Sequence, residues 1–543
     1  MRNKVAGSCA RVLFVVASLA AVASFAAAPS ADVVAINRIA DSAFNHGEVV
    51  DIAAFLADQI GGRMTNSPAM RRAERWTQDE FKSWGLKDVR AEGFDFGRGW
   101  WIESAHVRMT APRTLELRGI PIAWTPATNG LLNAAVIVAP MISDKDFADW
   151  RGKLKGKIVL VTWPGPPKDD IDAPFQRLSD VDIARLDKYQ QPVFDPEARQ
   201  KRIDRFRFRA KLDGFLGEEG AVAWIQMSRS DGRLLHGEGY GYRVGQTPKL
   251  PGVELAAEDY RRLARLAKLG EVKVEIDSRV HFEDADHNAY NILADIPGRD
   301  ARAGYVLAGA HLDSWVAGDG AADNGAGSAV VMEAARILAG LGVQPRRTIR
   351  FALWAGEEEG LLGSAAYVEK HLARRAPPTD TQLADLPPMF SLDNYPIQTL
   401  DGFAEMAAYF NLDNGSGKIR GIYTEGNFAV VPIFREWLSP FASLGAAAVV
   451  AEPTDLTDHV FFSRLGLPAF QFIQDPLDYE TRVHHTDLDT FDHLRPEDLR
   501  QAAMVLASVL IDAANRETPL PRKVLPSQPK VTDPFHYPDP AKK

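Results

Sequence analysis

Five stretches of this sequence hold residue types that bind metal ions or move protons. In AGAHLDSW, His311 can ligate through its imidazole. Asp313, two residues on, can accept the other ring proton and fix the tautomer. GDGAADNGAGSA offers the carboxylates Asp319 and Asp323 ahead of a helix, where an Asp or Asn324 would also serve as a cap. RFALWAGEEEGLLGS ends an apolar run in three acids, Glu357, Glu358 and Glu359. Neighbouring side chains diverge, so one carboxylate can bind metal while the next handles protons. Glu359 is then expected to point away or form a surface contact. Asp413 follows AYFNL and precedes the turn residues Asn414 and Gly415. RVHHTDLDT supplies His484 and His485, with Thr486, Asp487 and Asp489 placed to orient a histidine or close the loop. Upstream, Asp458 and His459 of TDHVFF are supporting candidates that would serve equally as cap or core polar groups.

Each stretch alone has an ordinary structural explanation; together they make a donor set of nitrogen and oxygen. Such a set fits zinc, with cobalt and manganese also allowed by ligand type. One bridging carboxylate can hold two ions about 3.5–4 Å apart, and a nearby glutamate can take the proton of an attacking water and pass it to a leaving amine.

The elements that must position these groups alternate. Strands are expected at 291–296, 305–308, 348–355, 407–412 and 469–473, and helices at 328–341, 364–371, 430–437 and 495–514. This is an α/β pattern, a mixed sheet with helices on both faces, whose chemistry gathers at the carboxyl ends of strands. Upstream, helices are expected over 36–55, broken near Asn45 and Gly47, and over 69–84, followed by strands at 89–96 and 100–109. Between residues 126 and 280 the short apolar runs 134–139, 158–163 and 221–225 suggest a β-rich domain without long regular helices, inserted into the main one. The expected layout is a signal peptide at 1–28, two segments of the main domain at 29–125 and 281–515 around that insert, and a proline-rich tail at 516–543.

AHLDS, ADNGAGSA, AGEEEGLLGS, FNLDNG, TDH and HHTDLDT, in this order, resemble the motifs of the M28 family of zinc exopeptidases. The resemblance covers residues 291–510 well and the N-terminal helices moderately. It implies two Zn²⁺ ions, one held by His311 and Asp413, the other by Glu358 and His485, with Asp323 bridging. It also implies Glu357 as general base and Asp313 as the residue orienting His311. Relatives often use a tyrosine to stabilise the developing oxyanion, and here Tyr479 or His484 stands near that place. LKGKIVLV and its flanking apolar runs resemble the protease-associated domain inserted in some members. Aminopeptidase and carboxypeptidase Q-like branches share these residues.

Composition narrows the rest. A formal charge of −9 and a pI near 5.8 argue against a nucleic-acid partner, since no dominant basic field would attract a phosphate backbone. Arg2, Lys4 and Arg11, an apolar run to Phe25 and then Ala26 to Ala28 have the layout of a secretory signal peptide, so export to a periplasm or the exterior is expected, with no membrane span after cleavage. Cys9 is the sole cysteine and precedes that run, leaving no disulfide or Cys-based zinc site in a cleaved chain. The function expected is peptide hydrolysis by an aminopeptidase. The alternatives are a dipeptidase or carboxypeptidase Q-like enzyme and, in a different class, a non-catalytic peptide-binding protein. The connection 374–396 is expected to form a pocket wall, a lid or a homodimer contact.

Overall fold

The computed structural model describes residues 31–528 apart from 168–172, 187–196, 247, 379–382, 384–385 and 455–456. The expected signal peptide and the tail beyond 528 lie outside the described residues.

The main sheet has eight strands in the spatial order Lys87–Asp95, Asn288–Ile296, Thr348–Trp354, Tyr305–His311, Met406–Asn411, Ala469–Gln474, Ile419–Tyr423 and Ala448–Val450. Its centre is parallel and its flanks include antiparallel pairs, so the sheet is mixed. Tyr305–His311, Met406–Asn411 and Ala469–Gln474 are buried at every residue, as strands covered on both faces must be. One face is covered by Ala31–Asn45, Val49–Ala54, Ala326–Gly340 and Pro496–Asn515. Leu362–His371 and Val460–Ser463 cover the other, around a second core that includes Leu307, Trp354, Tyr367 and Phe462. The expected break between the first two helices lies between Asn45 and Val49.

Register places the site. Gly309 pairs with Ala352 on one side and Asn411 on the other, and His311 pairs with Trp354. Three neighbouring parallel strands therefore finish at one edge, from which His311, Asp413 and the acids after Trp354 emerge.

A second eight-stranded sheet has the order Leu115–Leu117, Gly99–Ala111, Lys273–Glu283, Leu132–Val138, Ile158–Leu160, Ala223–Met227, Gly252–Leu255 and Gly119–Pro121. Three of its strands precede residue 125, upstream of the insert boundary expected from sequence. This unit also contains a long helix, Ala198–Glu218, where none was expected. Four of its 21 residues are buried, Ile203, Leu212, Phe215 and Leu216. The rest is charged nearly all round, so no apolar stripe marks it in the sequence. Of the connection 374–396, Pro387, Met389 and Phe390 form part of the wall of the cavity described below, and Phe390 meets Phe206 edge-on at 5.9 Å. The start of the tail lies on the surface, where Arg522 donates to the carbonyls of Phe403, Ala404 and Met406. Among the described residues no helix is long and apolar enough to cross a membrane.

Candidate metal centre

His311, Asp323, Glu358, Asp413 and His485, distant in sequence, converge at the carboxyl edge of the main sheet. His311 Nε2 lies 3.3 Å from Asp323 Oδ1 and 3.3 Å from Asp413 Oδ1. His485 Nε2 lies 3.2 Å from Asp323 Oδ2 and 3.0 Å from Glu358 Oε2. Asp323 thus turns one oxygen to each of two donor sets. His484 also approaches, with Nε2 3.6 Å from Asp323 Oδ2, but its side chain is 37% exposed against 2% for Glu358. Two overlapping clusters able to hold metal result, His311–Asp323–Asp413 and Asp323–His484–His485, sharing Asp323, with Glu358 beside the second.

The donors fit a divalent cation. Asp323 Oδ2 and Glu358 Oε1 are buried without a well-directed hydrogen bond, a costly state for a carboxylate oxygen in protein alone. Burial pushes the His311 and His485 imidazoles down, yet the surrounding carboxylates outweigh it and hold both well above the ordinary histidine range. The pocket therefore carries excess negative charge that bound cations would offset.

Local structure fixes each donor. Asp323 sits in a single turn, Ala321–Gly325, with non-helical φ and ψ, and its peptide bond to Asn324 is cis. Both oxygens of the buried Asp489 carboxylate accept backbone N–H groups there, from Ala322 at 2.6 Å and Asp323 at 3.0 Å. Asp489 closes this turn and pairs with no histidine among the described residues. Asn324 caps the next helix by accepting from Gly327 N–H at 3.0 Å. Asp319 takes no part in the donor sets; its main-chain oxygen accepts from Arg63 at 2.8 Å.

Asp313 departs from its expected contact. The nearer acceptor for His311 Nδ1 is the Asp313 main-chain carbonyl at 3.0 Å, with the carboxylate at 3.8 Å. The carboxylate instead accepts the backbone N–H groups of Glu357 at 3.3 Å and Glu358 at 3.2 Å. It holds the acidic turn in place. Glu359 departs further: instead of facing solvent it is 1% exposed and accepts from Thr65 Oγ1 at 2.9 Å.

Around the donors lies a cavity of about 790 Å³ whose walls include Glu357, Tyr479 and His484. Burial, together with Asp413 and Glu358 and against the pull of His311, raises the Glu357 pKa well above the usual carboxylate range. The Tyr479 ring lies 4.7 Å from that of His484. Burial beside Asp323, Asp413 and Glu358 drives the Tyr479 pKa far up, so its hydroxyl keeps its proton. Burial lowers the His484 pKa despite Asp323. Asp458 is fully buried near His311, and burial lifts its pKa to about 8. His459 turns elsewhere, to Glu425 at 3.3 Å and Thr454 at 3.1 Å. It is a core polar residue.

Residues 291–510 match the model of peptidase family M28. This stretch is an M28 peptidase domain. It is a zinc-dependent metallopeptidase. Over most of its length the chain is similar to carboxypeptidase Q of Rattus norvegicus, at 25% identity over 474 residues, 86% of this chain and 85% of the relative. A crystal structure of a peptidase M28 precursor from Shewanella amazonensis SB2B aligns with a TM-score of 0.64 at 25% identity, covering 92% of this chain and 100% of the other. BSAP, a zinc aminopeptidase from Bacillus subtilis, aligns with a TM-score of 0.56 at 21% identity over 87% and 95% of the two chains, a likeness of fold.

Two groups that serve the M28 domain were not evident in the sequence. Arg63 is fully buried and donates to the carbonyls of Leu56, Gly61, Leu312, Asp319 and Gly320, tying down the loop from His311 to Asp323. Glu238, from the second sheet's unit, lies 2.8 Å from His485 Nδ1. Both act across some 250 residues of chain, and no local pattern marks either. Glu238 has one faint signal, an acid set among glycines and aromatics in HGEGYGY.

Proposed function

We propose that the chain is an exported two-zinc exopeptidase that removes residues from the amino end of short peptides. The observation that carries the two-ion reading is the division of Asp323, one oxygen toward His311 and Asp413, the other toward His485 and Glu358. In this reading those five residues hold the ions. Zinc, when bound, supplies Lewis acidity toward the scissile carbonyl and acidifies water.

The protein's own groups supply the rest. The Glu357 carboxylate accepts the proton of the attacking water as its oxygen bonds to the carbonyl carbon. It then delivers that proton to the amide nitrogen as the carbon–nitrogen bond breaks. The Tyr479 hydroxyl, protonated and facing the same cavity, and the His484 ring are candidate donors to the developing oxyanion. Asp313 and Asp489 hold the backbone on which Glu357, Glu358 and Asp323 are mounted.

The acidic wall at the metal end supports recognition of a substrate ammonium group. A second reading, a carboxypeptidase Q-like dipeptidase, is favoured by the basic part of the cavity lining. Arg202, Arg205, Arg209 and Arg229 belong to it, and a substrate carboxylate would suit them. Similarity to carboxypeptidase Q over 86% of this chain points the same way. The second sheet is proposed as the protease-associated insert, and export rests on the N-terminal pattern.

Peptides of one sequence with free, N-blocked, C-amidated and doubly blocked termini test these readings. Aminopeptidase action predicts loss of turnover on N-blocking alone, whereas the dipeptidase reading predicts loss on blocking either end. Equal cleavage of internal bonds in long, doubly blocked peptides would sink the exopeptidase assignment.

A further inference from the structure

The connection between Ala223–Met227 and Gly252–Leu255 leaves the second sheet and reaches the metal pocket of the M28 domain. Leu235 N–H donates to Asp487 Oδ1 at 3.0 Å, and Asp487 N–H donates to the Leu235 carbonyl at 3.0 Å. Arg118, also from the second sheet's unit, bonds the same Asp487 carboxylate. Three residues beyond Leu235, the Glu238 side chain turns into the pocket, and the residue is 8% exposed. Its Oε1 lies 2.8 Å from His485 Nδ1 and 2.6 Å from Arg229 Nη1. Arg209, from the helix Ala198–Glu218, donates to the Glu238 main-chain carbonyl at 3.1 Å. Tyr240 stands edge-on to Trp315 at 5.7 Å, and Trp315 in turn stands edge-on to His485 at 6.1 Å.

These contacts meet on a residue that needs holding. His485 has φ of +59°, the left-handed region that costs a non-glycine residue about 1–2 kcal/mol. Strained positions of this kind persist where surrounding contacts over-determine them. An imidazole that binds metal through Nε2 must present its lone pair there and carry its proton on Nδ1. A carboxylate on Nδ1 sets that tautomer and ring direction. Glu238 is so placed, while Nε2 faces Glu358 and Asp323.

We propose that Glu238 is a positioning residue of the metal centre, and that the second sheet's unit thereby completes one of its two sites. The proposal rests on the reading of His485 as a ligand. It makes zinc retention at the His485–Glu358 site depend on the docking of the second unit, while the His311–Asp413 site is built wholly from the M28 domain.

The test uses the full chain and its variants Glu238→Ala and Glu238→Gln. Zinc stoichiometry and affinity are measured by chelator competition, kcat and KM at fixed free zinc, and unfolding of the zinc-free protein in parallel. Glu238→Ala is expected to keep one tight ion and bind the other about 10–100-fold more weakly, in the range lost when such orienting partners are removed. Its kcat should fall at limiting zinc and recover with excess zinc, with KM little changed. Glu238→Gln, whose amide oxygen still accepts from Nδ1–H, should lose less than Glu238→Ala. A merely structural role would lower the stability of zinc-free protein and leave relative affinities at the two sites unchanged. Zinc affinity within twofold of wild type in a folded Glu238→Ala overturns the proposal. If that variant does not fold, Glu238→Leu, which keeps the volume and removes the acceptor from Nδ1, takes its place, and zinc affinity within twofold of wild type in that folded protein overturns the proposal. If His485→Ala still binds two ions as tightly as wild type, the ligand reading has failed instead.

Discussion

Replacing Arg63 by methionine keeps most of the side-chain length and removes every donor. In the native protein the guanidinium is fully buried, and burial lowers its pKa to about 10 even though Asp489, Asp313, Asp319 and Asp323 pull the other way. It donates to five carbonyl oxygens at 2.6–3.2 Å, three of them in the loop from Leu312 to Gly320. An acceptor left unpaired in the interior costs roughly 1–3 kcal/mol. Losing the charge recovers some desolvation energy, and water reaching Gly61 and Asp319 would spare part of the loss. A net destabilisation of about 3–5 kcal/mol is therefore expected, comparable to breaking a buried ion pair. Arg63→Lys should fall in between, since an ammonium offers three donors from a single point. Denaturant unfolding of zinc-free protein measures the stability change, and limited proteolysis after 312–325 reports the loop. A stability within about 1 kcal/mol of wild type, the scale of one ordinary hydrogen bond, would refute the claim that Arg63 organises this loop.

Two further changes probe the scaffold. Glu74, on the helix Pro68–Ser83, is 5% exposed, and burial outweighs its pairing with Arg71 to lift its pKa from 4.5 to about 7. Raised in the folded state, it contributes stability that is fully present below pH 4.5 and is lost as pH rises through 7. Glu74→Gln should flatten the stability–pH profile across that window, by at most about 3 kcal/mol, and an unchanged profile counts against the assignment. At Gly327 an added Cβ would lie 2.2 Å from Asn324 Oδ1 and 2.5 Å from the Leu412 carbonyl. Gly327→Ala should therefore displace the helix start next to Asp323, costing about 1–3 kcal/mol and weakening zinc retention, as unfolding and metal analysis would show.

Four of the five candidate donors were legible because each follows an apolar strand or enters a helix, so the sequence pattern and the topology agree on where they stand; His485, in the loop after Tyr479–Val483, stood out only through the paired histidines of RVHHTDLDT. His311 follows Tyr305–Ala310, the acids follow Thr348–Trp354 by a short turn, and Asp413 follows Met406–Asn411. What joins these segments was not legible. Which acceptor Asp313 uses depends on how the Glu357–Glu358 turn folds back over it, and the burial of Glu359 depends on Thr65 in a distant loop. The helix Ala198–Glu218 carries no legible apolar stripe because its buried residues are few and scattered, Ile203 near the start and Leu212, Phe215 and Leu216 toward the end, with charge over much of the rest. Its arginines, and Glu238 beyond it, reach the pocket by docking of two units, a relation that local periodicity cannot encode.

Zinc content and peptide turnover measured on one preparation of Glu357→Gln test the central claim most directly. The change removes the proposed base and leaves the five proposed ligands intact, so the variant should hold two zinc ions per chain, as should wild type, while kcat falls by about 10²–10⁴-fold, the range for a general base. Turnover equal to wild type would contradict the role of Glu357, and a wild-type protein that hydrolyses peptides without binding zinc would contradict the metal centre itself.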